Sequence, residues 1–314
     1  MTSAPLPAST VAWDQYWQDG RLASCGGEGG ANYQPVIAEG WRHFFNAVAD
    51  GARILDICTG NGAVARLAAE VAAVRQRKVT IDAVDSATIN PVRLGLGADL
   101  IRFSSRTPAE NLPFADGTFD VIVGQYAIEY TDVERTLAEL RRVSRPSVAL
   151  RFVTHATEGV AVQQAQRQLA DVKRLCATGI FESAEALVKA SGDRLPAIGP
   201  DDAGNAFQNA LHALHEASKN AMDLAMYRNV GTVLVHAMQH LHVVGAGTVL
   251  EKIRETVNGI RAHEARLSAM SHAALDAPAA QALAAQAARL WSKPFQCDAL
   301  VRADGVVFGW VLAS

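Results

Sequence analysis

The stretch ILDICTGNGAVARLA, residues 54–68, joins an apolar run ending on an acid to two glycines and an alanine-rich helical pattern. Glycines placed like Gly60 and Gly62 serve three ends: cradling a phosphate, holding a nucleotide edge, or turning the chain tightly. A phosphate-binding P-loop needs G-x-x-x-x-G-K-[ST], and no such lysine follows Gly62, so that reading is out. A dinucleotide fingerprint, G-x-G-x-x-G/A, is formally present as Gly60-Asn61-Gly62-Ala63-Val64-Ala65, with acids about twenty residues further on. Asp85 can accept from both hydroxyls of a ribose; it serves equally as an N-cap or loop-starting acid, and Asp82 is a nearby rival. Asp56 can face a ligand or cap the turn that follows it.

More candidates lie past later apolar runs. Gln125, Tyr126, Glu129 and Tyr130 follow FDVIVGQ, and His155 follows SVALRFVT. An imidazole with an ordinary pKa of about 6.5 suits proton acceptance, while a hydrogen-bonded loop histidine is the plainer use. Glu129 can act in chemistry, cap a helix or sit on the surface. Glu110 has the same ambiguity, as a ligand contact or a loop-stabilising group.

The elements that must position these residues alternate. ARILDI reads as a strand and GAVARLAAEVAAV as a helix; VTIDAVD, DLIRFSS and FDVIVGQ read as strands two to four, DVERTLAELRRV as a helix and SVALRFVT as strand five. Apolar strands alternating with helices imply a parallel sheet covered on both faces, with ligands at its carboxyl edge. From 158 to 291 only helical periodicity appears. FQCDALVR and VVFGWVLA, joined through Ala303-Asp304-Gly305, then read as a hairpin. The expected architecture is α/β: a Rossmann-like doubly wound sheet, mostly parallel with a C-terminal antiparallel hairpin, plus a large helical insertion. Its parts are an N-terminal helical cap (1–50), the sheet domain (51–157 with 292–314) and the insertion (158–291), which would form a substrate pocket or a homodimer interface. In the cap, Trp13 and Trp17 of WDQYW share a helix face as a core anchor, residues 35–48 form an amphipathic helix, and CGGEGG (25–30) suits a mobile entrance loop.

Composition narrows the partners. A net charge of −3 without a dense basic run argues against a nucleic-acid footprint. Four scattered cysteines, Cys25, Cys58, Cys176 and Cys297, show no C-x-x-C and suit a reducing cytoplasm rather than a disulfide frame. The sequence has no signal-peptide pattern and no apolar run approaching the length of a membrane span, so no membrane role is expected. His236 and His240 lie one helical turn apart with His242 nearby, but no H-E-x-x-H accompanies them, and no metal site is expected.

LDICTGNG resembles motif I of the class I S-adenosylmethionine-dependent methyltransferases, where an acid ends strand one ahead of the glycine loop. VDSA resembles that family's end of strand two, with Asp85 as the ribose-binding acid. AENLPFADGTFDVIVGQYAIEY, residues 109–130, resembles its strand-three to strand-four segment, most of all in the small-molecule branch containing the ubiquinone/menaquinone-biosynthesis C-methyltransferases. The closing hairpin also fits, because this family ends its sheet with an antiparallel strand.

The resemblance implies an enzyme that uses S-adenosyl-L-methionine to methylate a small organic molecule by in-line displacement. It assigns cofactor binding to Asp56, Thr59, Gly60, Gly62, Asp85, Ala109, Glu110 and Gln125, with Asp56 toward the cationic end of the methionine tail and Gln125 meeting that tail. His155, Tyr126 and Glu129 become the candidate catalytic residues. Charge-assisted bonds of this kind are worth about 1.5–3 kcal/mol each. Two departures stand out. Cys58 occupies the place of a glycine common in motif I, and Pro108 stands where relatives often carry an acid for the adenine amino group. Adenine recognition then leans on backbone around Ala109 or on apolar packing. Gly124-Gln125-Tyr126-Ala127 also differs from the Asn/Asp-Pro-Pro-aromatic turn of enzymes that methylate nucleobases or glutamine. Two other readings remain: a non-catalytic cofactor-binding scaffold of the same fold, and an NAD(P)-dependent oxidoreductase suggested by the glycine pattern alone.

Overall fold

The computed structural model describes residues 8–24, 32–91, 95–194 and 202–314. The expected entrance loop at 25–30, with Cys25, lies outside the described residues. Seven strands form one sheet in the order β3-β2-β1-β4-β5-β7-β6. They are β1 (Arg53–Ile57), β2 (Thr80–Val84), β3 (Ile101–Ser104), β4 (Phe119–Gln125), β5 (Ser144–Thr154), β6 (Gln296–Val301) and β7 (Val307–Ala313). The first five are parallel, and β7 returns antiparallel between β5 and β6. The expected Rossmann-like sheet with its closing hairpin is therefore present.

Register brings the chemistry to one edge. Asp56 pairs with Ala83, and Ile57 with Val84. Asp85 thus begins the loop just past β2, level with the glycine loop past β1. Gln125 ends β4 and pairs with Val153, one residue short of the end of β5. Every parallel strand runs the same way, so these ends open onto one crevice.

Each face of the sheet is covered by two helices. On one, α2 (Pro35–Asn46) and α3 (Ala63–Val74) pack on Ile54, Ile81, Val121 and Val153. Trp41 and Phe45 of α2 are almost wholly buried there. Large side chains gain about 1.5–3 kcal/mol each on full burial, so α2 is part of the core rather than a detachable cap. On the other face, Leu137 and Leu140 of α4 (Val133–Val143) meet Leu55, Ile122 and Leu150.

The second helix on that face is α11 (Ala277–Trp291), through Leu283, Ala284, Ala287 and Trp291. The sequence places it in the insertion, residues 158–291. The compact helical unit instead spans Gln164–Ser268, and residues 269–314 belong with the sheet. Asp276 caps α11 by accepting from the Ala279 amide, and the Trp291 indole donates to Ser144 Oγ at 3.0 Å. Helical periodicity reports an apolar stripe but not the surface that the stripe meets, so α11 could not be told apart from its helical neighbours. The chain leaves and re-enters the sheet domain at a pinned stem. Leu275 donates to the His155 carbonyl at 2.9 Å and accepts from the Thr157 amide at 3.0 Å.

The helical unit has its own core, formed by Leu175, Ile180, Phe181, Leu187, Val230, Leu234 and their neighbours. It contains α6 (Ile180–Ser191), α7 (Asp202–Ser218), α8 (Leu224–Gln239) and α9 (Leu241–Val244), with most of α5 (Val160–Cys176) and α10 (Ala246–Ala273). Buried Asp171 organises it, accepting from the Met222 and Asp223 amides ahead of α8 and pairing with Arg174. Among the described residues no helix is long and apolar enough to cross a membrane.

Candidate functional site

At the carboxyl edge of the sheet lies a cavity of about 560 Å³. Thr59, Asp85, Ala109, Glu110, Gln125 and Tyr126 line it, all of them expected site residues, together with Cys58 and Pro108. Trp13 and Trp17 of α1 (Ala8–Gln18) form one wall, with Tyr33, Arg106 and Tyr130 nearby.

Asp85 is the best-placed acid. It is 6 % exposed, and its two oxygens accept from the amides of Gly60 and Ala87, each at 2.8 Å. Burial, more than any neighbour, pushes its carboxyl up to about 6. Asp82 resolves as a different kind of acid: it pairs with Arg53 at 3.0 Å within the sheet and does not line the cavity.

Asp56 departs from expectation. It is 1 % exposed and stands behind the cavity wall, accepting from the Thr59 hydroxyl at 2.6 Å and the Ala65 amide at 3.1 Å. The carboxylate therefore braces the glycine loop and the first turn of α3 instead of facing the cavity, because the loop amide and hydroxyl lie nearer than any open space. Burial raises its carboxyl to about 7, with the Thr59 and Ala65 bonds pulling the other way.

The two glycines are each packed under an aromatic ring. A Cβ on Gly60 would meet the Trp17 indole at 2.5 Å, and one on Gly62 would meet the Phe103 ring at 2.6 Å. Both have positive φ, +55° and +89°, which L side chains rarely adopt. Close approach is real here, but aromatic rings make it. Asn61 between them fastens α1 over the loop, donating to the Trp17 and Arg21 carbonyls at 2.9 and 2.7 Å. Trp13 and Trp17 stack at 5.7 Å, and Trp17 packs with Tyr16, Ala87 and Ile89. The shared helix face of WDQYW is thus a core anchor and a cavity wall at once.

Gln125 is 4 % exposed, and its Oε1 accepts from the Trp41 indole at 2.6 Å. Its Nε2 is buried and has no hydrogen-bond partner among the described residues. Buried amide donors are rarely left so, since an orphaned one costs about 1–3 kcal/mol. Glu110 lines the cavity while accepting from the Asp132 amide at 3.0 Å, so it stabilises its loop and borders the site. Cys58, with φ +49°, has its thiol pushed well above the usual range by burial, and then by Asp85, Glu110, Glu129 and Asp56.

The three candidate catalytic residues cluster, yet only Tyr126 reaches the cavity. Its hydroxyl donates to the Phe308 carbonyl at 3.0 Å. His155 is 1 % exposed, its ring 3.8 Å from that of Tyr126, and Glu129 accepts from its amide at 2.8 Å and lies 3.1 Å from Nδ1. The pair is buried behind the wall that Tyr126 and Tyr130 present, because the loop after β5 turns inward to bond Leu275. Sequence reasoning missed Trp41, Tyr33 and Arg106. The first reads as one more apolar residue on a helix, and nothing in the pattern marks its indole bond.

Elsewhere, the His236 and His240 rings stack at 4.1 Å, and no group of three metal-ligating side chains is found among the described residues.

A parallel sheet with a glycine loop past β1 and an acid past β2 is a Rossmann-like arrangement. Residues 55–152 match the family model described as a methyltransferase domain. Over 95 residues the chain is 37 % identical to the malonyl-[acyl-carrier protein] O-methyltransferase of Geobacter sulfurreducens, covering 29 % of this chain and 34 % of that one. Over 131 residues it is 34 % identical to the ubiquinone/menaquinone biosynthesis C-methyltransferase of Geotalea uraniireducens, covering 36 % of this chain and 52 % of that one. The chain thus spans between a third and about half the length of these relatives. A solved structure of Burkholderia thailandensis 1,6-didemethyltoxoflavin-N1-methyltransferase is 17 % identical, with a TM-score of 0.35 over 49 % of this chain and 68 % of that one.

Proposed function

We propose that the protein is an S-adenosylmethionine-dependent methyltransferase that alkylates a small organic acceptor. The observation that carries this reading is that Asp85, held by the amide of the glycine loop, and Gln125 line one cavity at the carboxyl edge of the sheet. A ribose needs an acceptor for its hydroxyls, and an amino-acid tail needs a donor for its carboxylate. Asp85 offers the acceptor, and Gln125 lines the same cavity beside it.

The chain's own residues do the binding. Asp85 accepts from the ribose hydroxyls, Ala109 and Pro108 give the adenine an apolar bed, and Gln125 Nε2 donates to the tail carboxylate. Asp56 acts at one remove by holding Thr59 and the amide of Ala65. When bound, S-adenosylmethionine supplies a methyl group activated by its sulfonium. Asp85 and Glu110 on the cavity wall favour that positive charge, and the aromatic wall of Trp13, Trp17, Tyr33 and Tyr130 excludes water and suits a flat, apolar acceptor. In-line transfer then depends on alignment more than on acid–base chemistry. Tyr126 borders the acceptor's space, and His155 with Glu129 holds that wall in place. The helical unit of residues 164–268 belongs in this reading to acceptor choice or to homodimer formation, in a cytoplasmic enzyme.

Calorimetric titration with S-adenosylhomocysteine and, separately, NADH tests the reading. Saturable binding of the first and none of the second is expected. Binding of NADH alone would restore the oxidoreductase alternative, and cofactor binding without a methylated product from any native extract would favour the scaffold.

A further inference from the structure

Helix α1 is fastened to the cavity rim at two places. Its C-terminal end is anchored, with Trp17 resting on Gly60 and Asn61 donating to the Trp17 and Arg21 carbonyls. One turn earlier, Asp14 joins the helix to two other loops. Its Oδ1 accepts from the Thr88 amide past β2 at 2.6 Å, and its Oδ2 accepts from Arg106 past β3 at 2.7 Å. Beside Asp14, Trp13 lines the cavity and meets Tyr130, from the loop past β4, edge to face at 6.1 Å. The apolar contacts of α1 are local: Tyr16 and Trp17 pack with Ala87 and Ile89 in a cluster distinct from the two cores on the sheet faces. Lifting the Asp14 end of α1 would therefore break few bonds and leave both cores intact.

We infer that Asp14 is a latch: it holds α1 and Trp13 closed over the cavity, and its release lets the ligand in and out. The inference rests on the proposed function, in which the cavity takes S-adenosylmethionine. The latch is partly exposed, with the side chains of Arg106 and Asp14 43 % and 21 % open to solvent, and ion pairs in such places are weak. It therefore opens readily while the Asn61 anchor holds. Ligand passes only while the latch is open, so the rates of binding and release both scale with the open fraction. Affinity, their ratio, hardly moves.

Stopped-flow tryptophan fluorescence with S-adenosylhomocysteine on the full chain reads both rate constants, since Trp13 and Trp17 line the cavity. Asp14→Asn removes the charge and keeps an oxygen for the Thr88 amide. It should raise the association and dissociation rate constants together, each about fivefold, with Kd within about twofold. A merely structural role for Asp14 would raise dissociation alone and weaken binding. Salt gives a second measurement that stands even where the variant fails to fold. Sodium chloride screens the Asp14–Arg106 pair, so both rates in the unaltered protein should rise together with salt, and Asp14→Asn should abolish the rise. Dissociation that rises alone, or rates that respond to neither the substitution nor salt, overturn the inference and leave the proposed function standing. Failure of the unaltered protein to bind S-adenosylhomocysteine overturns both.

Discussion

Asp85 accepts a hydrogen bond from the Gly60 amide at 2.8 Å, so the acid past β2 and the glycine loop past β1 are held as one unit. A ligand that engages Asp85 therefore meets a carboxylate already fixed in place. Asp85→Ala should weaken S-adenosylhomocysteine at least tenfold by calorimetry, the loss of about one good charge-assisted bond or more. Affinity equal to that of the parent would remove Asp85 from the site.

The same group predicts a pH dependence of binding. The Asp85 carboxyl titrates at about 6, and only its ionised form accepts from both ribose hydroxyls. Affinity should be flat above about pH 7 and fall as the pH drops through 6. Asp85→Asn should bind more weakly and lose the slope between pH 5 and 7.

Asp56 predicts a pH dependence of stability with the opposite sense to the usual paired carboxylate. Its carboxyl ordinarily titrates at 3.8 and is raised to about 7 in the fold. The unfolded chain releases its proton first, so stability is greatest at low pH and falls as pH rises from about 4 to 7, levelling above. The difference is on the order of 2–4 kcal/mol at most. Chemical denaturation of the parent and of Asp56→Asn at pH 5 and pH 8 should show the parent losing more stability than the variant. Equal losses would contradict the assignment.

Gly60 carries two constraints, a φ of +55° and a Trp17 ring 2.5 Å from where a Cβ would stand. Gly60→Ala should lower the unfolding free energy by about 2–4 kcal/mol. Adding Trp17→Ala should recover the part due to the ring and not the part due to φ. If the second substitution recovers nothing, the contact does not govern the cost.

Glu129 takes the His155 amide from a fully buried position. Glu129→Ala should cost about 1–3 kcal/mol of stability and Glu129→Gln less, since glutamine keeps an acceptor. The midpoint of urea denaturation reads both.

The strands were legible because each carries a short apolar run bounded by turn residues, and the hairpin because Asp304-Gly305 sits between two such runs. The position of Asp85 and Gln125 at the carboxyl edge was legible for a related reason: residues at or just past a strand's end must lie there. What escaped were facts about partners. Asp56 is one residue inside its strand, and no pattern says that Thr59 and Ala65 would claim its carboxylate. His155 looks available by position and is enclosed, because Leu275, 120 residues on, pins its loop. Trp17 over Gly60 and Trp41 on Gln125 join segments more than 40 residues apart, where periodicity carries no information. The surface that α11 covers was hidden for the same reason.

The most direct measurement is a crystal structure of the protein soaked with S-adenosylhomocysteine. The account predicts the ribose hydroxyls on Asp85, the tail carboxylate within hydrogen-bond reach of Gln125 Nε2, and Trp13 and Trp17 still forming the wall. Ligand density elsewhere on the sheet, or a cavity that stays empty at saturating ligand, would contradict it.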